Sequence, residues 1–135
     1  MKVFSKEWME EVAKRLRESE EYQKAAKGFD STVGYIAEPE PEKGITKQYV
    51  CGIKLPEADE IWVDEERPTD FVLSAKYGNF VKIMKGELNP TAAMMSGKIK
   101  LKGAMMKMMR YANAVNAYNK IVQSIPAEFE GDYAK

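Results

Sequence analysis

The chain has 135 residues, equal numbers of acidic and basic side chains, no histidine and one cysteine, Cys51. This length suits one domain with a substantial core rather than two. Because the chain has no histidine and only one cysteine, it cannot form an internal disulfide, the common zinc sites or the Cys-His and Ser-His catalytic pairs. No apolar run is long enough to span a membrane and no signal peptide is recognisable. We therefore expect a single cytoplasmic domain with no metal and no cofactor.

The first 28 residues predict a helical segment. Ser5 is a candidate N-cap, and apolar residues recur at helical spacing from Trp8 to Leu16. The pattern weakens between Glu18 and Glu21. We therefore expect one interrupted helix, or two short ones, over residues 5–27.

From residue 29 the apolar period changes to two, which is typical of strands. The proline-rich segment 38–44 predicts a loop between the first two strands. Cys51 lies in the alternating second strand, which favours a buried and unreactive thiol over a reactive one. Five strands are predicted, over about 29–38, 46–55, 61–63, 70–75 and 98–102.

Two helices are predicted between the fourth and fifth strands. The first runs from Tyr77 and ends at Gly86, a residue that readily adopts positive φ. Asn89 and Pro90 supply an N-cap and a first helical residue for the second, which ends before Gly97. This short helix carries two adjacent methionines, which cannot share one buried face.

A final helix is predicted over about 104–124. Its apolar residues lie on one side before Asn113 and on a different side after it. Either the helix breaks there or its two halves have different contacts. Pro126 ends it, and the tail 126–135 is expected to be loosely held. The element order predicts an α+β domain whose sheet is covered by helices on one face.

Charge is distributed unevenly along the chain. Residues 1–70 carry 17 acidic and 11 basic side chains, whereas residues 71–135 carry 4 acidic and 10 basic ones. The basic half suits either a solvated face or a surface for anionic membranes and ligand headgroups. Nucleic acid is the weakest interpretation, because the basic residues are not interleaved with exposed aromatic ones. The candidate headgroup or membrane contacts are Lys98, Lys100, Lys102 and Lys107.

Six of the nine methionines lie between Met94 and Met109. Methionine fills irregular gaps in cores, and it also lines surfaces that accept variable apolar partners. The cluster is therefore consistent with a loosely packed core or with an apolar ligand site.

The segment DFVLSAKYGNFVKIMKGELNPTAAMMSGKIKLKG, residues 70–103, resembles the sterol carrier protein family, specifically its small prokaryotic lipid-transfer-like members. The segments FSKEWMEEVAKRL and SEEYQKAAKGFDSTVGYIAEPEP are also similar to those members, so the resemblance covers about residues 4–123. It implies a five-stranded, mainly antiparallel sheet with helices over one face, enclosing an apolar tunnel for a lipid. The implied lining residues are Phe80, Met84, Met94, Met95, Met105, Met106, Met108, Met109 and Ala112. No catalytic residue is implied.

Three functions are compatible with these observations. The first is non-enzymatic binding, and possible transfer, of a fatty acid, acyl-CoA or phospholipid. The second is a homodimerising module with a vestigial cavity, which exposed Tyr118, Ile121 and Val122 would support. Catalysis is the weakest, because Ser74 and Tyr77 have no histidine partner.

Overall fold

The computed structural model describes residues 1–134 and is built around one five-stranded sheet. The strand order is β3-β2-β1-β4-β5; β1 and β4 are parallel and the other neighbouring pairs are antiparallel. The prediction of a mainly antiparallel α+β fold is therefore confirmed. The elements are α1 (Lys6–Glu18), α2 (Glu20–Ala25), β1 (Ser31–Glu38), β2 (Tyr49–Leu55), β3 (Ile61–Val63), β4 (Phe71–Lys76), α3 (Tyr77–Met84), α4 (Pro90–Met95), β5 (Lys100–Lys102), α5 (Met105–Arg110) and α6 (Ala112–Ser124), with single 3-10 turns at Pro41–Lys43 and Gly131–Ala134.

Two serines define the helices at the amino terminus. The Ser5 hydroxyl accepts a hydrogen bond from the Trp8 backbone N–H at 3.1 Å, which caps α1 as predicted. Ser19 ends α1, and its hydroxyl accepts from the Tyr22 N–H at 3.1 Å to cap α2. The predicted interruption is thus a helix stop and a helix start at one residue.

The helices cover one face of the sheet. Successive strand residues point to opposite sides, so a strand can present apolar residues to the helices on one face and polar residues on the other. Alternate residues of β1, β2 and β4 point towards the helices, and among them Val33, Ile53 and Phe71 are buried. On the other face, Lys54 of β2 and Lys100 and Lys102 of β5 are exposed. The cationic outer face predicted for β5 is therefore present.

The last helical segment breaks at Tyr111, two residues before the predicted position. The backbone of Tyr111 leaves the helical region, with φ −106° and ψ 31°, and separates α5 from α6. Helix α6 packs against α1, α2 and α3. The two halves of the predicted helix therefore differ in direction and in contacts.

The tail differs from the expectation of a loosely held segment. The Val3 N–H donates to the Glu128 carbonyl at 3.0 Å, and the Glu130 N–H donates to the Tyr77 hydroxyl at 2.9 Å. The Tyr133 hydroxyl donates to the buried Glu40 carboxylate. Since these partners are distant in sequence, no local pattern in the tail predicts them. Lys135 lies outside the described residues.

Candidate ligand-binding cavity

An apolar cavity of about 120 Å³ lies between the sheet and the helices. Within residues 1–134, no charged side chain lines it. The sheet contributes one side of its lining, and the helices with their connections contribute the other. The sheet residues are Val33, Tyr35, Cys51, Leu55 and Leu73, and the others are Phe4, Trp8, Tyr22, Phe29, Phe80, Ile83, Met84, Pro90, Met94, Ile99, Met108, Tyr111, Ala114, Val115, Tyr118, Asn119 and Val122.

Aromatic side chains form one continuous part of this lining. The Phe4 ring is 5.7 Å from the rings of Trp8 and Phe80 in edge-to-face contacts. The Phe80 ring is in turn 6.3 Å from that of Tyr35. Such pairs contribute about 0.5–1.5 kcal/mol each beyond the burial of their area. The rings in this part of the cavity therefore stabilise one another by direct contact.

The cavity contains few polar groups. The Tyr35 hydroxyl donates to the Tyr118 hydroxyl at 2.9 Å, and burial raises the pKa of both phenols. Burial also raises the pKa of the Cys51 thiol to about 12. These groups are therefore neutral near pH 7, and the expectation of a buried, unreactive Cys51 agrees with its position.

Four of the nine residues predicted to contact lipid line the cavity. They are Phe80 and Met84 on α3, Met94 on α4 and Met108 on α5. Ala112 is exposed at the start of α6 and lies outside the lining.

The other four predicted residues lie on the outer surfaces of α4 and α5, the helices that also carry Met94 and Met108. We call them the methionine rim; their exposed fractions are 86% for Met95, 44% for Met105, 73% for Met106 and 64% for Met109. Adjacent methionines on a short helix point in different directions, so they cannot all line one cavity. The sequence does not say which of them face the cavity and which face solvent.

The four candidate lysines also fall into two groups. Lys98, Lys100 and Lys102 are exposed along and beside β5. The Lys107 ammonium instead donates to the Ser31 hydroxyl at 2.7 Å and lies 5.4 Å from the centre of the Phe29 ring. Lys107 therefore has partners within the domain, whereas the other three point to solvent.

Sequence reasoning did not assign most of the aromatic lining to a site. Val33 and Tyr35 share a face of the predicted first strand, and that alternation is the signal that could have identified them. A cavity wall and a packed core share the same alternation, however. Their separation required the three-dimensional arrangement of the helices.

Association of two copies through α6 would need exposed Tyr118, Ile121 and Val122, and α6 does not expose these three side chains to solvent. Tyr118 lines the cavity, Ile121 is half-buried and Val122 is buried. This part of the chain faces the domain interior because α6 crosses α1, α2 and α3. It offers no exposed apolar stripe for a second copy.

A sheet that carries helices on one face, with an apolar cavity between the layers, defines a domain suited to holding an apolar ligand. No helix within residues 1–134 is both long and apolar enough to cross a bilayer. Residues 10–116 match the model of the SCP-2 sterol transfer family, and the chain belongs to this family. Membership supports lipid binding or transfer in general.

Solved and curated relatives agree with this assignment. A crystal structure of sterol carrier protein 2 superposes with a TM-score of 0.83 at 26% identity, covering 93% of this chain and all of that one. Hydroxysteroid dehydrogenase-like protein 2 of Bos taurus is 42% identical over 50 residues, which are 37% of this chain and 12% of that protein. The non-specific lipid-transfer protein-like 1 of Caenorhabditis elegans is 38% identical over 47 residues, 35% of this chain and 40% of that protein. The chain thus matches only a small part of the dehydrogenase-like relative.

Proposed function

We propose that this protein binds a fatty acid, acyl-CoA or phospholipid in the cavity and carries it between membranes without chemical conversion. The observation that supports this best is the uncharged, mainly apolar lining between sheet and helices. Burial of an acyl chain there contributes about 0.8 kcal/mol per methylene group. Apolar burial is therefore the main source of affinity.

The cavity must enlarge to take a whole acyl chain. Its volume of about 120 Å³ is below the roughly 300–1,000 Å³ of typical ligand pockets. Met84, Met94 and Met108 lie in the lining, and methionine has three flexible side-chain torsions. We therefore expect these three side chains to change rotamer when a chain enters.

The methionine rim and the exposed lysines suit contact with an anionic membrane. Exposed methionines on α4 and α5 provide apolar side chains that can enter the headgroup region. Lys98, Lys100 and Lys102 provide positive charge nearby in the chain, each contributing about 1 kcal/mol at an anionic surface. Since Met94 of α4 and Met108 of α5 also line the cavity, docking there would bring the cavity close to the lipid.

The absence of chemical conversion follows from the groups that line the cavity. Its potential nucleophile is Cys51, whose pKa of about 12 leaves almost no thiolate at neutral pH. In the described chain no acidic or basic side chain lines the cavity to act as a general acid or base. The site therefore suits binding alone.

Two variants of α6 test the proposed function. Ala114 is buried and lines the cavity, whereas Ala112 is exposed two residues earlier. Delipidated protein is incubated with a mixture of fatty acids, acyl-CoAs and phospholipids and weighed by native mass spectrometry. Wild type and Ala112→Phe should take up one lipid, and Ala114→Phe should take up at least about tenfold less because its ring occupies the cavity. Equal uptake by the two variants, or no uptake by wild type, would reject the proposal.

A further inference from the structure

We propose that the cavity contains a hydrogen-bonding subsite for one uncharged oxygen of the ligand, formed by the paired hydroxyls of Tyr35 and Tyr118. This inference rests on the proposed lipid-binding function and specifies the ligand chemistry further. It predicts that the protein accepts lipids with a hydroxyl, ketone or ester oxygen placed inside the cavity.

The tyrosine pair leaves one donor without an acceptor. The Tyr35 hydroxyl donates to the Tyr118 hydroxyl at 2.9 Å. Each phenol carries a single proton, so one bond between the two oxygens uses only one of their two protons. The remaining proton, that of Tyr118, has no acceptor among residues 1–134, and reversing the bond would leave that of Tyr35 instead. Both residues are half-buried and line the cavity, so the remaining donor is available to a ligand there.

The ligand oxygen that accepts a hydrogen bond from this pair must be uncharged. The described part of the cavity lining contains no lysine or arginine, and a buried carboxylate without a cation is strongly unfavourable. Burial also raises the pKa of Tyr35 and Tyr118, so both remain protonated donors. An anionic headgroup would therefore stay outside the cavity, while a neutral oxygen can enter.

The test compares tetradecan-1-ol with tetradecanoate, which have equal chain lengths and different oxygen chemistry. The test variant is Tyr35→Phe/Tyr118→Phe, because either single substitution leaves one free hydroxyl in the cavity. Replacing both partners of one hydrogen bond with apolar groups of similar shape leaves folding nearly unchanged. Tyr118→Phe alone serves as the matched control.

Titration calorimetry should show a three- to tenfold weaker affinity for tetradecan-1-ol in the double variant, roughly the contribution of one neutral hydrogen bond. Affinity for tetradecanoate should stay within about twofold, and the single variant should bind both probes like wild type. Equal losses for the two probes would indicate altered packing and overturn the subsite. An unchanged affinity for the alcohol would also overturn it, and would indicate that buried water satisfies the donors. If wild type binds neither probe, the proposed function itself fails.

Discussion

Helices α5 and α6 are neighbours in the chain and use their apolar residues in opposite ways. Helix α5 carries four methionines in six residues and buries only Met108. Helix α6 has a lower proportion of large apolar side chains but buries Ala114, Ala117 and Val122 against the domain. Packing partners explain the difference, because α6 packs against α1, α2 and α3. Met105, Met108 and Met109 of α5 also share a helix face by their spacing, yet only Met108 is buried. Apolar content alone therefore does not predict burial here.

This comparison separates two regions around the cavity. The aromatic wall consists of Phe4, Trp8, Tyr35, Phe80 and Tyr118, which contact one another and the rest of the core. The methionine rim consists of flexible side chains exposed to solvent. Removal of a ring from the wall should therefore change stability and binding, whereas substitutions in the rim should change membrane contact alone.

The largest expected effect comes from removing one ring of the aromatic wall. Phe80→Ala should lower the free energy of unfolding by about 3–5 kcal/mol, because a buried ring is lost and a cavity remains. Met106→Ala should change it by less than about 0.5 kcal/mol, since Met106 is exposed. Urea unfolding followed by circular dichroism measures both. Comparable losses in the two variants would contradict the division into wall and rim.

The second effect is a loss of stability in alkali. Burial raises the pKa of Tyr35 and Tyr118, so they stay protonated in the folded state above pH 10 while the unfolded chain ionises. The unfolded state then binds fewer protons, and stability falls as pH rises. The slope approaches about 1.4 kcal/mol per pH unit for each such tyrosine well above pH 10, and it averages about half of that between pH 9 and 11, where the unfolded tyrosine is only partly ionised. Urea unfolding from pH 9 to 11 should show a shallower decline in Tyr35→Phe/Tyr118→Phe, and an unchanged slope would contradict this.

The sequence predicts the scaffold better than the cavity. The five strands, the Ser5 cap and the Asn89–Pro90 helix start follow from local patterns, because capping and alternation depend on neighbouring residues. The lining does not, because alternation marks Tyr35 as inward-facing without saying whether it meets a side chain or a cavity. The hydrogen bonds that join the tail to Val3, Glu40 and Tyr77 cannot be predicted from local sequence patterns either, because they join segments far apart in the chain.

A third prediction concerns membrane contact. Met95→Gln/Met106→Gln/Met109→Gln should weaken binding to vesicles of equal phosphatidylcholine and phosphatidylserine by at least about tenfold, because three apolar side chains no longer enter the interface. Vesicle flotation measures the bound fraction. Fatty-acid affinity in vesicle-free buffer should not change, since none of the three residues lines the cavity. Lost fatty-acid affinity with normal vesicle binding would place the lipid at the rim instead.

The smallest effect distinguishes two lysines. Lys107→Gln should lower the free energy of unfolding by about 1 kcal/mol, because its bond to Ser31 and its contact with Phe29 are lost. Lys102→Gln should leave stability unchanged and weaken binding to the anionic vesicles about fivefold. Vesicles of pure phosphatidylcholine serve as the control and should not discriminate Lys102→Gln from wild type. A stability loss in Lys102→Gln alone would reverse these roles.

The central claim is that lipid lies against the cavity lining rather than against the rim. Methyl-labelled methionine NMR tests it directly, because the nine methionines report separately on both regions. Titration of delipidated protein with tetradecanoate should shift the methyl signals of Met84, Met94 and Met108 and leave those of Met95, Met106 and Met109 near their original positions. Shifts confined to the rim signals, with the three lining signals unchanged, would contradict the account.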